Sequence, residues 1–389
     1  MKLAIVATHP VQYQVPWYRA LALRDGVDLT VYFALLPTPE QQGVDFGMDF
    51  AWDVPLLDGY RWEVLENTAR EPSLRGFLAS RTPGVGEAFA RARPTAVIVG
   101  GWNALPLLQA LRASRRLGIP CLVRAESSGL RPPPPWTRAL HRALLSRFSA
   151  CLAIGESNRR FYLGNGVPAE RIFPVPYFAD NDRFAAQAEQ WMPERDSIRA
   201  GWGIGPEEVC FLFAGKLVAK KRPLDFLAAC GTARRSDPRI RPLVVGTGEM
   251  EAAARGFAAR HESGATFAGF LNQTEISRAY VAADCLVLPS DYGETWGLVV
   301  NEAMAHGLPA IVSDRVGCGP DLVRDGVTGR IFPFGDVEAL ARTLLALAAN
   351  GVARAEMGRR AREHVASYSA ANAVDGTLEA VAYVRRGGR

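Results

Sequence analysis

The sequence predicts an α/β protein of two tandem domains, each a doubly wound parallel sheet. Apolar runs of strand length alternate with helix-like stretches along most of the chain, the signature of a parallel sheet with crossover helices. The 389 residues are too many for one ordinary core. The alternation lapses once in mid-chain, over residues 185–205, which read as linker and lead-in.

In the first half, residues 3–7 form a strand that ends in Thr8-His9-Pro10-Val11-Gln12-Tyr13-Gln14, and a helix follows over 16–23, because proline suits the first helical position. A second strand, Asp28–Phe33, leads into a poorly patterned stretch, 37–75, rich in Gly, Pro, Asp and Trp and read as a long connection with short strands. A helix over 87–93 precedes the strand Ala96–Val99, closed by Gly100-Gly101-Trp102-Asn103. A helix over 106–117 and the strand Cys121–Val123 follow, the latter ending in Arg124-Ala125-Glu126-Ser127-Ser128. These strand ends converge on one sheet edge, where open α/β sheets bind ligands. His9, Gln12, Tyr13, Trp102 and Asn103 are polar or aromatic groups placed to touch a ligand there, although helix capping and loop packing explain each equally well. There is no glycine between Met1 and Arg24, so the G-x-G-x-x-G turn of a nicotinamide or flavin enzyme is absent.

Residues 131–148, RPPPPWTRALHRALLSRF, are a proline run and then a basic amphipathic helix. Such a helix can lie on anionic lipid. The plainer reading, leucines packed on the sheet and arginines in water, is preferred. A strand over 151–154 and a further helix complete this half.

The second half repeats the pattern. The strand Val209–Ala214 ends in Gly215-Lys216-Leu217-Val218-Ala219-Lys220-Lys221-Arg222-Pro223, and a helix begins at 223–230. Strands over 242–245 and 265–267 end in Gly246-Thr247-Gly248-Glu249 and Gly269-Phe270-Leu271. A helix over 275–282 leads to Asp284–Gly307, DCLVLPSDYGETWGLVVNEAMAHG, around which the rest is organised. Its apolar run Cys285–Leu288 suits a buried strand, Pro289, Ser290 and Gly293 break the chain into a loop, and 298–306 is helical. The loop 290–297 therefore joins a strand's carboxyl end to a helix's amino end, where backbone N–H groups and the helix dipole favour an anion. Glu294 in the loop and Glu302 two turns into the helix could face one ligand from two sides. A strand over 310–312, a turn at 317–320, and helices over 336–349, 354–366 and 374–383 complete the chain.

Composition narrows the class. At 48% hydrophobic and 22% charged the chain is an ordinary globular protein, and no run approaches the eighteen apolar residues of a membrane span. The start, MKLAIVATHP, lacks a signal peptide's apolar core, and six scattered cysteines without a C-x-x-C pair read as reduced thiols of a cytoplasmic protein. A charge of +5 and a pI near 9.0 lean towards anionic partners, but there is no basic stripe or nucleic-acid motif. Of 45 basic residues only four are lysine, and three of those are Lys216, Lys220 and Lys221. In a chain that otherwise uses arginine, a lysine cluster calls for a local reason, and a phosphate is one.

The run ETWGLVVNE, followed by AMAHGLPAIVSD, resembles the E-x7-E signature of the retaining glycosyltransferases of family 4, the group 1 glycosyl transferases. The match continues through Asp321 and DGVTGRIFPFGD, and is specific from about residue 211 onward. The resemblance implies the GT-B architecture: two Rossmann-like domains facing across a cleft, here 1–182 on the acceptor side and 183–368 for the nucleotide-sugar donor. A C-terminal segment, 369–389, is expected to cross back to the first domain. It implies transfer of a sugar from a nucleotide-diphosphate sugar to an acceptor hydroxyl with retention, in glycan, polysaccharide or glycolipid biosynthesis. Gly215, Lys216 and Lys221 align with the family's diphosphate-holding Gly-Arg and Lys, although Lys216 replaces the arginine and Arg222 stands where glycine is usual. Gly246 and Gly248 match its loop near the donor, and Phe270 and Leu271 its nucleobase wall. Glu294 would contact sugar hydroxyls, Glu302 the ribose, and the backbone of Gly297 and Leu298 the phosphates, with Thr295 and Trp296 also counted among the donor-binding residues.

The first half departs from the family: its glycine-rich turn is replaced by HPVQY, and its catalytic-side histidine is missing, with Glu126 the nearest candidate. Asp180-Asn181-Asp182 has the letters D-x-D of metal-dependent sugar transferases, but by position it matches the segment with which family 4 chains leave their first domain. No metal and no other cofactor is therefore expected. The partners implied are the donor and a carbohydrate, lipid-linked or small-molecule acceptor, with no nucleic acid; the less favoured lipid reading of 131–148 would add peripheral contact with an anionic inner membrane face. A nucleotide-sugar epimerase of the same fold and a non-catalytic nucleotide-sugar-binding protein are the rival readings.

Overall fold

The computed structural model describes every residue except Asp45, Pro132, Gly388 and Arg389, so part of the 131–148 stretch and of the 369–389 tail falls outside the described residues. The chain divides into two units: Met1–Gly43, Asp49–Tyr177 and Ala370–Arg389 in the first, Val44–Met48 and Phe178–Ser369 in the second.

The first unit's sheet contains β1 (Lys2–Ala7), β2 (Asp28–Phe33), β3 (Arg61–Val64), β4 (Ala96–Val99), β5 (Cys121–Val123), β6 (Ala150–Ala153) and β7 (Ile172–Pro174). The order is β3-β2-β1-β4-β5-β6-β7 and each pairing is parallel. β1, β4, β5 and β6 are buried almost throughout, as a sheet covered on both faces requires. The C-terminal helix Ala370–Arg385 packs in this unit. Trp17 Nε1 donates to Thr377 Oγ1 at 3.2 Å, and the Phe173 and Tyr383 rings lie 5.4 Å apart.

The second unit's sheet contains β8 (Val209–Ala214), β9 (Ile240–Val245), β10 (Thr266–Gly269), β11 (Cys285–Leu288), β12 (Ala310–Ser313) and β13 (Gly329–Phe332), in the order β10-β9-β8-β11-β12-β13, again parallel. β8 and β11 are pinned by Asp284, whose carboxylate accepts from the Cys210 N–H at 2.7 Å and pairs with the nearly buried Arg199 at 3.1 Å and with Arg195 at 2.9 Å. In both sheets the strand order reverses direction once, between β1 and β4 and between β8 and β11. Loops leaving the carboxyl ends of those strands meet at the usual ligand crevice of such a sheet.

Two sequence readings need correction. Residues 185–205 are largely helical, in Asn181–Trp191 and Arg195–Gly201. Asp180 caps the first by accepting from the Arg183 N–H, and Phe184, Ala188 and Ile198 bury its apolar side and that of the next helix. Short helices with few apolar residues carry little periodic signal, which is why the stretch reads as linker. The helix Pro135–Leu145 does not place all its apolar residues on the sheet. Leu145 is buried and Leu144 packs on the core, but Trp136 is 72% and Leu140 61% exposed. All six cysteines are free and buried.

Candidate active site

In the second unit the β8 and β9 loops touch backbone to backbone. Gly246 has φ 123°, and a Cβ there would stand 2.0 Å from the Gly215 carbonyl oxygen, so only glycine fits. Leu217, fully buried, ties the two loops together: its N–H donates to Thr247 O at 2.8 Å and its carbonyl accepts from Met250 N–H at 2.9 Å. The chain then makes a 3-10 turn, Ala219–Lys221, and enters the helix Pro223–Arg234 through Arg222, which has φ 56°. A non-glycine residue is strained by about 1–2 kcal/mol in that left-handed region. Here the guanidinium is engaged by Asp225 at 2.8 Å, which helps offset the strain and explains how arginine stands where a glycine is expected.

The β11 loop delivers Glu294 to the same place. Its carboxylate contacts Lys221 Nζ, the two side chains each only 12% exposed, and Ser290 Oγ donates to Oε2 at 3.3 Å. Gly297, φ 105°, begins the helix Leu298–Ala305, and a Cβ on it would press to 2.9 Å from Leu288 and 3.5 Å from Glu294 Cγ. Lys216 Nζ stands 4.6 Å from the centroid of Phe46, whose ring meets Phe270 edge-on at 5.3 Å. Thr247 Oγ1 also donates to the Phe46 carbonyl at 2.8 Å. Phe270, Leu271, Thr295 and Leu298 are half-buried, and Gly248 follows Thr247 in the same loop.

Lys216, Lys221, Gly215, Gly246, Gly248, Phe270, Glu294 and Gly297 thus sit on adjoining loops of one sheet edge. Glu302 and Trp296 lie deeper. Glu302 is 2% exposed and accepts from Tyr280 OH at 2.5 Å, while Trp296 is buried with Nε1 donating to Asn301 Oδ1 at 2.8 Å. His306 Nδ1 lies 2.8 Å from the Glu302 carbonyl, and burial pushes its imidazole down to about 4. Lys220, by contrast, is exposed and reaches the Gly293 carbonyl at 3.3 Å. Asp180 serves the helix cap, and no cluster of three His, Cys, Asp or Glu that could hold a metal ion occurs among the described residues.

In the first unit His9 pairs with Thr8 Oγ1 at 2.9 Å through Nδ1, and burial lowers its imidazole to about 4, so it is neutral near pH 7. Gln12 and Tyr13 are half-buried and Asn103 is exposed. Trp102 is committed to packing, its ring stacked 6.1 Å from Phe161 and 5.9 Å from His141. Glu126 is exposed, and its Oε1 accepts from Tyr177 OH at 2.8 Å. Sequence reasoning did not single out Arg124, Tyr177, Tyr280, Ser290 or Phe46. Arg124 carried a signal as the first residue beyond β5, and Ser290 as the head of the 290–297 loop.

Two family descriptions match the chain: "Glycosyl transferase 4-like domain" over residues 11–177 and "Glycosyl transferases group 1" over 194–364. A D-inositol 3-phosphate glycosyltransferase of Mycobacterium sp. (strain KMS) is 37% identical over 183 residues, 45% of this chain and 40% of that protein. The chain thus aligns with less than half the length of that relative. Among solved structures, Anabaena Alr3699/HepE in complex with UDP-glucose superposes with a TM-score of 0.72 at 16% identity, covering 98% of this chain and 99% of that one. Sucrose-phosphate synthase from Thermosynechococcus elongatus gives 0.71 at 20% identity, with 99% of each chain covered. At these identities the likeness speaks for fold alone, and the fold is the GT-B architecture.

Proposed function

Because the chain belongs to the group 1 glycosyl transferases, we propose that it is a retaining glycosyltransferase that moves a sugar from a nucleotide-diphosphate sugar to an acceptor hydroxyl without a metal. The observation that carries the reading is the Lys221–Glu294 contact at the β8–β11 switch point. Breaking a sugar–phosphate bond leaves an anionic diphosphate, and fixed positive groups lower that barrier. Lys221, Lys216 and the N–H groups at the start of the helix Leu298–Ala305 are the groups on these loops able to do so. In this reading Glu294, held by Lys221 and Ser290, accepts from sugar hydroxyls and fixes the donor's orientation. The acceptor hydroxyl attacks on the face from which the diphosphate leaves, and a departing phosphate oxygen takes its proton, so no strong side-chain base is required.

The acceptor belongs to glycan, polysaccharide or glycolipid synthesis, and we place the protein at a membrane surface. Residues 127–155 hold Arg131, Arg138, Arg142 and Arg147 and no Asp or Glu, and the exposed Trp136 and Leu140 stand among them. Cationic charge beside exposed apolar side chains suits an anionic bilayer face. No helix among the described residues is long and apolar enough to cross a membrane.

A thermal-shift panel of nucleotide diphosphates and their sugars tests the donor reading, since a ligand that binds the folded state raises its melting temperature. Glu294→Gln should then abolish transfer while keeping diphosphate binding. Glutamine is the better probe, because alanine would strip Lys221 of its partner without filling the space. No shift with any nucleotide, or normal turnover in the variant, would sink the reading. Conversion of the donor sugar with no acceptor present would favour the epimerase.

A further inference from the structure

Arg124 leaves β5 at the ligand edge of the first sheet and is only 5% exposed. Its guanidinium carbon lies 4.9 Å from the Trp17 ring centroid and 4.8 Å from that of Tyr177. Both rings are tethered, Trp17 by Thr377 and Tyr177 by Glu126. No ion pair recorded among the described residues includes Arg124, and its Nε has no hydrogen-bond partner. Glu126, two residues on, is exposed and holds Tyr177 instead.

A buried cation without a counter-charge is costly, and two aromatic contacts offset only part of that cost. A guanidinium donates in its own plane, and Nε on that edge has no partner. The group that fits it is a planar or tetrahedral oxyanion, held by two parallel N–H···O bonds. The exposed Glu126 carboxylate, two residues on, repels a second negative charge but can accept from a hydroxyl. We propose that Arg124, between Trp17 and Tyr177, is an anion-recognition site of the first unit that takes the phosphate or carboxylate of a polyhydroxylated acceptor. This deepens the glycosyl-transfer reading, on which the identity of the ligand as acceptor rests.

The experiment uses the full chain as wild type, Arg124→Met and Arg124→Lys. Each is melted alone and then with inorganic phosphate against chloride of equal ionic strength, with UDP at saturation to keep phosphate out of the donor loops. Phosphate should raise the wild-type melting temperature, leave Arg124→Met unmoved, and bind Arg124→Lys about tenfold more weakly, because the fork is lost while the charge remains. Ligand-free Arg124→Met should melt no lower than wild type, since it removes an uncompensated buried charge. A clearly lower melting temperature or failure to fold in Arg124→Met would assign the arginine a purely structural role and overturn the proposal. So would a phosphate response that is absent from wild type or equal in all three proteins. The UDP shift is scored separately, so a failure of the donor reading is distinguishable from a failure at Arg124.

Discussion

Replacing Lys221 with methionine leaves the Glu294 carboxylate without its cation. How much this costs depends on which regime the pair belongs to. Exposed ion pairs are worth about 0–1 kcal/mol. At 12% exposure on each side this pair belongs to the buried regime, where removing one partner strands the other charge at a cost of about 3–5 kcal/mol. Ser290 Oγ, at 3.3 Å, is a long hydrogen bond and offsets only part of that. For a domain of 150–250 residues such a loss lowers the melting temperature by roughly 6–20 °C. Adding Glu294→Gln removes the stranded charge, so the double variant should recover most of the loss, and the two changes should couple with opposite sign. Calorimetry supplies the functional half. Lys221→Met should weaken a nucleotide diphosphate by about ten- to a hundredfold, equivalent to about 1.5–3 kcal/mol for a lost charged hydrogen bond, and leave the free nucleoside nearly unaffected. Glu294→Gln alone should tighten the diphosphate, since it frees Lys221 and removes a nearby negative charge. A Lys221→Met protein that melts and binds diphosphate like wild type would show that the contact is a solvated one and refute this account.

Lys216→Ala should also weaken diphosphate binding preferentially, whereas Lys220→Ala, whose ammonium is exposed on the Gly293 carbonyl, should change it by less than about threefold; equal effects at both positions in calorimetry would mean the cluster has no binding role. Transfer activity should survive EDTA, and a requirement for added Mg2+ or Mn2+ that chelation reverses would count against the metal-free mechanism. Burial holds the His306 imidazole near 4 in the folded chain against about 6.5 unfolded, so its contribution to stability is complete above pH 6.5 and is lost as pH falls towards 4. Melting curves over that range should fall less steeply for His306→Gln; parallel curves would exclude His306 as the cause.

The loops at the carboxyl edge of the second sheet were legible because their chemistry is local. Glu294, Gly297 and Lys221 each lie within ten residues of a strand's carboxyl end, and an apolar run followed by a glycine-bearing turn marks such an end in the sequence itself. Gly246 was legible as a glycine, but its reason, a carbonyl of Gly215 too close for any Cβ, exists only once β8 and β9 are paired. The depth of Glu302 was hidden for the same reason, since Tyr280 comes from a different helix. Arg124 was passed over because arginine is common in this chain, and its isolation depends on Trp17 and Tyr177, more than a hundred and more than fifty positions away respectively. The amphipathic stripe at 131–148 was visible, but a stripe gives no side: that Trp136 and Leu140 point to solvent follows from where the sheet lies.

The membership of Ala370–Arg385 in the first unit has a consequence for synthesis on the ribosome. Apart from the short stretch Val44–Met48, the second unit is one continuous length, Phe178–Ser369, and all of it is translated before the last helix. Its sheet can therefore close while the first remains unfinished, with Trp17 waiting for Thr377 and Phe173 for Tyr383. The part of the chain made first is the part completed last. A nascent chain stalled or truncated short of residue 370 would carry a finished second sheet and a first sheet with an uncovered apolar flank, the kind of surface on which chaperones and aggregation act.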